Sequence, residues 1–156
     1  MATQVEFDDI VKFLRQQGWQ IGLGERNSIR LAFEGDNGEY NALILYPWEK
    51  EIIILYVEYP FPVPENRRED VLNLVARINW GLLFGVCEYH PDHGIVRFRA
   101  TMLTDDAPFL AGQFSTMLST ALSTVERYKP AFDAVLRDRL AVAEALKLVE
   151  SPPSPF

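Results

Sequence analysis

The chain has 156 residues, with 22 acidic against 15 basic side chains and a formal charge of -7. A field of that sign repels phosphate backbones and anionic lipid, so neither nucleic acid nor a membrane surface is an expected partner. With 48% hydrophobic residues the chain lies outside the disordered class, and its length predicts one core burying roughly two-thirds of the unfolded surface.

The first apolar residues, Val5, Ile10, Val11, Phe13 and Leu14, recur at helical spacing, and Gly18 closes the pattern as a helix C-terminus does. Gly22-Leu23-Gly24 is half of a dinucleotide fingerprint without its third glycine, and reads as a turn. Ile29, Leu31 and Phe33 then alternate with Ser28, Arg30 and Glu34, the period-2 signature of a strand with one buried face. Gly35-Asp36-Asn37-Gly38 supplies a hairpin turn into a second strand, Tyr40 to Tyr46. After a turn at Pro47-Trp48-Glu49-Lys50, Ile52 to Tyr59 form a third strand that is apolar at both parities. Both of its faces need cover, and only one can meet the helices of its own chain, which points to a further element or a second copy.

Pro60-Phe61-Pro62-Val63-Pro64 ends the sheet locally. A second helix carries Val71, Leu74, Val75, Ile78 and Leu82 on one face, with Glu65, Glu69 and Asp70 near its start. Val86 to Tyr89 and the alternation of Val96, Phe98, Ala100 and Met102 with Arg97, Arg99 and Thr101 make a hairpin across His90-Pro91-Asp92-His93-Gly94. From Leu110 the period is helical again, through Phe114, Met117, Leu118, Ala121, Leu122, Val125 and Tyr128. Pro130 is expected to kink or restart this third helix before Phe132, Leu136, Leu140, Ala143 and Leu146 carry the stripe on. The expected fold is α+β: an antiparallel sheet with helices on one face, in the order α-β-β-β-α-β-β-α with a helical C-terminal extension. Residues 1–150 read as one domain and residues 151–156, Ser-Pro-Pro-Ser-Pro-Phe, as a disordered tail.

The N-terminal stretch lacks the pattern of a secretory signal, no apolar run approaches the roughly 20 residues that span a bilayer, and the single cysteine makes no internal disulfide; a cytoplasmic protein is the expectation. Chemistry has few places to reside. Cys87, His90 and His93 carry a thiol and two imidazoles usable by zinc, and a metal-dependent sensor or enzyme built on them is the alternative reading. Strand parity and a turn between the histidines argue against a shared metal, so no metal and no cofactor are expected. Asp8-Asp9 and Asp105-Asp106 read as helix-start and loop residues, and no nucleophile elbow or phosphate-cradling glycine loop occurs, so no catalytic residue is assigned. The remaining resource is aromatic: Trp48, Tyr56, Tyr59 and Phe61 about one sheet edge, with Trp80 at the end of the second helix, are the candidate partner-binding residues.

Leu74-Val75-Ala76-Arg77-Ile78-Asn79, then Phe84-Gly85-Val86-Cys87-Glu88 leading into Gly94-Ile95-Val96-Arg97-Phe98-Arg99, and Arg127-Tyr128-Lys129-Pro130-Ala131-Phe132 resemble the YbjN-domain family, a label attached to bacterial sensory transduction regulators. The resemblance implies a fold like that of type III secretion chaperones, which are small, acidic and homodimeric. A non-catalytic, chaperone-like homodimer that binds a segment of a client protein is the function expected from these features together. The His90-Pro91-Asp92-His93 hairpin tip and the long helical tail depart from the family's pattern.

Overall fold

The computed structural model describes residues 7–47, 50–104 and 109–150. The expectations for Val5, Trp48, Asp105-Asp106 and the tail 151–156 lie outside the described residues. The elements are α1 (Phe7–Gln16), β1 (Ile21–Gly24), β2 (Ser28–Gly35), β3 (Gly38–Leu45), β4 (Ile52–Glu58), α2 (Arg68–Gly81), β5 (Val86–His90), β6 (Ile95–Leu103), α3 (Ala111–Leu136) and α4 (Val142–Lys147). They form one antiparallel sheet in the order β1-β2-β3-β4-β6-β5. This is the expected α+β fold with one strand more than its sequence pattern announced.

The α1 helix ends as its glycine requires. Gly18 sits at a φ of 84°, its amide donates to the Arg15 carbonyl at 3.0 Å, and the Trp19 amide donates to that of Leu14 at 3.0 Å. This double bond pattern satisfies the last carbonyls of the helix and favours a residue without a Cβ. Gly22-Leu23-Gly24, expected as a turn, belongs instead to the edge strand β1, paired with Ser28 to Leu31 of β2. Its four residues are too few to show an alternation, and the neighbouring strand supplies the hydrogen bonds that hold it extended.

Strand parity divides the sheet cleanly. Ile29 and Leu31, Tyr40, Ala42 and Ile44, Ile53, Leu55 and Val57, Cys87, and Val96, Phe98 and Ala100 are buried in a single core with the apolar stripes of the helices. The α3 helix lies along β4 and β6, and α2 lies beside β5. Phe13 of α1 meets Phe114 of α3 edge to face, with ring centroids 5.6 Å apart. Tyr59, Phe61 and Phe132 make a second aromatic knot, with centroids 4.8 and 5.4 Å apart about Tyr59. Such pairs contribute about 0.5–1.5 kcal/mol each beyond the area they bury.

The helix does not restart at Pro130, and α3 runs through it to Leu136. A proline leaves the carbonyl four residues earlier without its helical donor, here that of Glu126. Asn37, in the two-residue turn between β2 and β3, donates its Nδ2 to that carbonyl at 3.0 Å. The Glu126 carboxylate in turn accepts the Asn37 amide at 3.0 Å and the Tyr40 hydroxyl at 2.5 Å. The hairpin tip thereby repairs the helix, and the continuous helix holds the hairpin. The chain breaks later, between Arg137 and Ala141, before α4.

Candidate functional site

Opposite the core, the sheet presents a second face over which no described element is laid. The register orders it in rows: Arg30, Leu43, Tyr56 and Arg99 in one, and Ala32, Asn41, Glu58 and Arg97 in the next. A third holds Ser28, Leu45, Ile54 and Thr101, and Ile52 faces Leu103 beyond it. Leu43, Leu45, Ile52, Ile54 and Tyr56 are half-buried by their sheet neighbours, and none of them packs against the core. The centre of this face is therefore an apolar band, with a shallow depression of about 820 Å³ bordered by Arg30, Ala32, Asn41, Tyr56 and Glu58.

Its charges are unevenly engaged. The Arg97 guanidinium lies 3.9 Å from the centre of the Tyr56 ring, and its Nε donates to Glu88 at 2.7 Å. Arg99 Nε lies 2.6 Å from the other Glu88 oxygen, off the angle a hydrogen bond needs, so that contact is an ion pair only. Both arginines are partly exposed, and pairs of this kind contribute at most about 1 kcal/mol. Arg30 and Glu58 have no charged or hydrogen-bonding partner among the described residues.

An apolar groove of about 530 Å³ opens elsewhere, between the start of α3 and the end of β6. Phe84, Met102 and Met117 supply its apolar lining, and Gly112, Thr116 and Thr120 keep one wall low. Leu103 is 67% exposed at the end of the same strand.

The Cys87 hairpin separates the groups that its sequence sets close together. Cys87 points into the core and is buried, whereas His90 and His93 are exposed with ring centroids 4.4 Å apart. Among the described residues no three histidine, cysteine, aspartate or glutamate side chains could hold a metal ion. The backbone of Cys87 is fixed by Asn79 of α2, whose side-chain amide donates to its carbonyl at 2.8 Å and accepts its N–H at 2.8 Å. A carboxamide thus stands where a further strand's peptide group would pair, and closes the outer edge of β5.

Burial, aided by the charge of Glu88, pushes the Cys87 thiol up from 9.0 to about 12. Burial, then the bond to Glu126, raises the Tyr40 hydroxyl also. Both are acids whose folded pKa lies above the unfolded one, so their neutral forms stabilise the fold in full below the unfolded values, and that contribution is lost as pH rises through the folded ones. The melting temperature is therefore expected to hold to about pH 9 and to fall above it, less steeply at first in Cys87→Ala. A thiol reagent should leave the native protein unlabelled and label the unfolded chain; native-state labelling at the rate of a free thiol would contradict this burial.

The candidate aromatic residues occupy different places. Tyr59 is buried, its hydroxyl donating to the Val125 carbonyl at 3.1 Å, and Phe61 packs on it. Tyr56 stands half-buried on the open sheet face, and Trp80 is 93% exposed at the end of α2. Trp48 lies outside the described residues.

Residues 6–134 match the YbjN family, described as "putative bacterial sensory transduction regulator". The chain belongs to the YbjN family. A comparison with curated proteins finds no sequence relative. Among solved structures, YbjN from E. coli is similar at a TM-score of 0.62 and 11% identity, over 81% of this chain and 90% of that one. The ExsC–ExsE complex is similar at 0.60 and 16%, over 80% and 94%. The HopA1–SchA chaperone–effector complex is similar at 0.53 and 8%, over 75% and 88%. The fold is that of the YbjN protein and of type III secretion chaperones, and the family is a regulatory one, not a family of enzymes.

Two features of this YbjN protein escaped sequence reasoning. Arg30 and Glu58 share a face with Leu43 and Tyr56, which strand parity alone could have told, but their flanking of a single patch depends on the register of three strands. The Phe84–Met117 groove joins residues far apart in the chain, and nothing local marks it.

Proposed function

We propose that this protein is a non-catalytic regulatory module that works as a homodimer in the cytoplasm and holds a segment of another protein. The observation that carries the reading is the division of the sheet into a helix-covered face and an apolar face that none of the described residues covers. Apolar surface of that extent is costly in water and marks an interaction site. The solved complexes of similar fold, one between ExsC and ExsE and one between a chaperone and an effector, support a protein as the client.

With the sheet face given to a second copy, the Phe84–Met102–Met117 groove is the place for the client segment. An extended or helical apolar stretch fits its shape, and the acidic surface favours a basic flank. Tyr56 serves the dimer in this arrangement, and the exposed Trp80 extends the contact surface at the end of α2. Tyr59, Phe61 and Trp48 complete the proposed set, the first two by shaping the loop they anchor.

Light scattering across a dilution series tests the assembly: a stable dimer at micromolar concentration is expected, and a monomer throughout would remove the homodimer. For the client, a polypeptide that co-purifies with the wild type and is lost in Thr116→Glu, at unchanged melting temperature, is expected. Thr116 is exposed on the groove wall, so the change fills the groove without touching the core. Equal retention by the variant would place the client elsewhere.

A further inference from the structure

Among the described residues Arg30 and Glu58 have no charged or hydrogen-bonding partner, and they flank the apolar band from opposite sides, whereas the other unpaired carboxylates of this face, Glu34 and Glu39, face each other one row beyond Asn41. Arg30 lies on β2 in the row of Leu43 and Tyr56, whereas Glu58 lies on β4 in the row of Asn41. Two strand spacings, about 10 Å, and one row of residues separate them. We infer that the open sheet face is the dimer interface, with Arg30 of each copy paired to Glu58 of the other across a twofold axis; this rests on the homodimer proposed above.

The symmetry follows from the positions. Two faces that meet isologously are related by an axis lying in the plane between them, so any two points on one face can be exchanged by one such axis. The axis that exchanges Arg30 with Glu58 crosses β3 between Asn41 and Leu43. It brings Leu43 and Tyr56 of one copy over Leu43 and Tyr56 of the second, and sets the depression at Ala32 and Asn41 over its own counterpart. Apolar side chains then meet apolar side chains at the centre, and each free cation meets a free anion at the rim. The Arg30–Glu58 pair thus forms twice in one geometry, so the apolar band and the two charges beside it are complementary to their own copies. The opposite choice, two like charges face to face, arises with any axis that puts Arg30 against its own copy.

Sedimentation velocity on the full chain, with circular dichroism to confirm folding, tests this. Arg30→Glu and Glu58→Arg are each expected to weaken the dimer tenfold or more, because each sets like charges together, and the double reversal R30E/E58R is expected to recover affinity to within about threefold of the wild type. Leu43→Glu, which puts a charge at the centre, should yield monomer. If the wild type is a dimer and Leu43→Glu leaves it so, the interface lies on another face and this inference fails while the homodimer stands. If Leu43→Glu gives monomer but the double reversal is no tighter than the single variants, the face is right and the Arg30–Glu58 register is wrong. If the wild type is a monomer at every concentration, the homodimer fails and this inference with it.

Discussion

Glu126→Ala is expected to lower the free energy of unfolding by about 3 kcal/mol, which for a chain of this size lowers the melting temperature by roughly 6–12 °C. The carboxylate takes the amide of Asn37 and the hydroxyl of Tyr40, and its loss leaves the Tyr40 hydroxyl without its acceptor at a residue 1% exposed. Hydrogen bonds to a charged group contribute about 1.5–3 kcal/mol, and an orphaned buried donor adds to the cost. Asn37→Ala should cost less, about 1.5 kcal/mol, since it removes only the side-chain bond to the Glu126 carbonyl. That bond matters because Pro130 withholds the helical donor from the same carbonyl. In a Pro130→Ala background the helix can supply its own amide, so the cost of Asn37→Ala should shrink to a few tenths of a kcal/mol. Urea denaturation of the four proteins in this cycle decides it, and an Asn37→Ala cost that is the same with proline or alanine at 130 would separate the hairpin from the helix defect.

This pair of residues also shows where reading along the chain stops. The strands β2, β3, β5 and β6 are legible because alternation is a property of adjacent residues, and α1 and α2 because a 3.6 period needs only a dozen. The bare sheet face is legible too, since Ile52 to Tyr59 are apolar at both parities and one chain can cover only one of them. A proline inside α3 is a break by every local rule, and the helix survives it through a turn residue, Asn37, that lies 89 positions before its partner Glu126. Gly22-Leu23-Gly24 is extended only because β2 pairs with it. The candidate aromatics show the same limit: Tyr56 and Tyr59 are three apart at the end of one strand, and the first faces the open side while the second turns into the core beneath Phe132. Composition marks such residues as interface material, but which of them faces water is decided by parity and by the bend at Pro60. Cys87 and His90 fall apart for that reason also, since three steps along a strand exchange its faces.

Gly85→Ala is expected to cost about 4 kcal/mol and to lower the melting temperature by roughly 8–16 °C. Gly85 has a φ of 72°, where an L side chain costs about 1–2 kcal/mol. A Cβ there would also lie inside contact distance of the Phe98 ring, which is 1% exposed and pairs across the sheet with Cys87. Overpacking of a closed core costs a further 1–3 kcal/mol because neither ring nor strand has room to withdraw. The two causes separate in a second variant: Phe98→Leu removes the atoms that collide but not the backbone strain, so G85A/F98L should be less destabilised than the sum of its parts by about 1–2 kcal/mol. The consequence reaches the proposed client groove, because Gly85 stands between Phe84, which lines it, and the strand whose outer edge Asn79 closes. Moving the backbone at 85 to relieve the ring would stretch both Asn79 bonds, so amide exchange at Cys87 should accelerate more than that at Ile53, in the middle of the sheet. Equal acceleration at the two sites would mean that the strain is relieved through the whole sheet, and a Gly85→Ala protein as stable as the wild type would mean that Gly85 is not held against Phe98 at all.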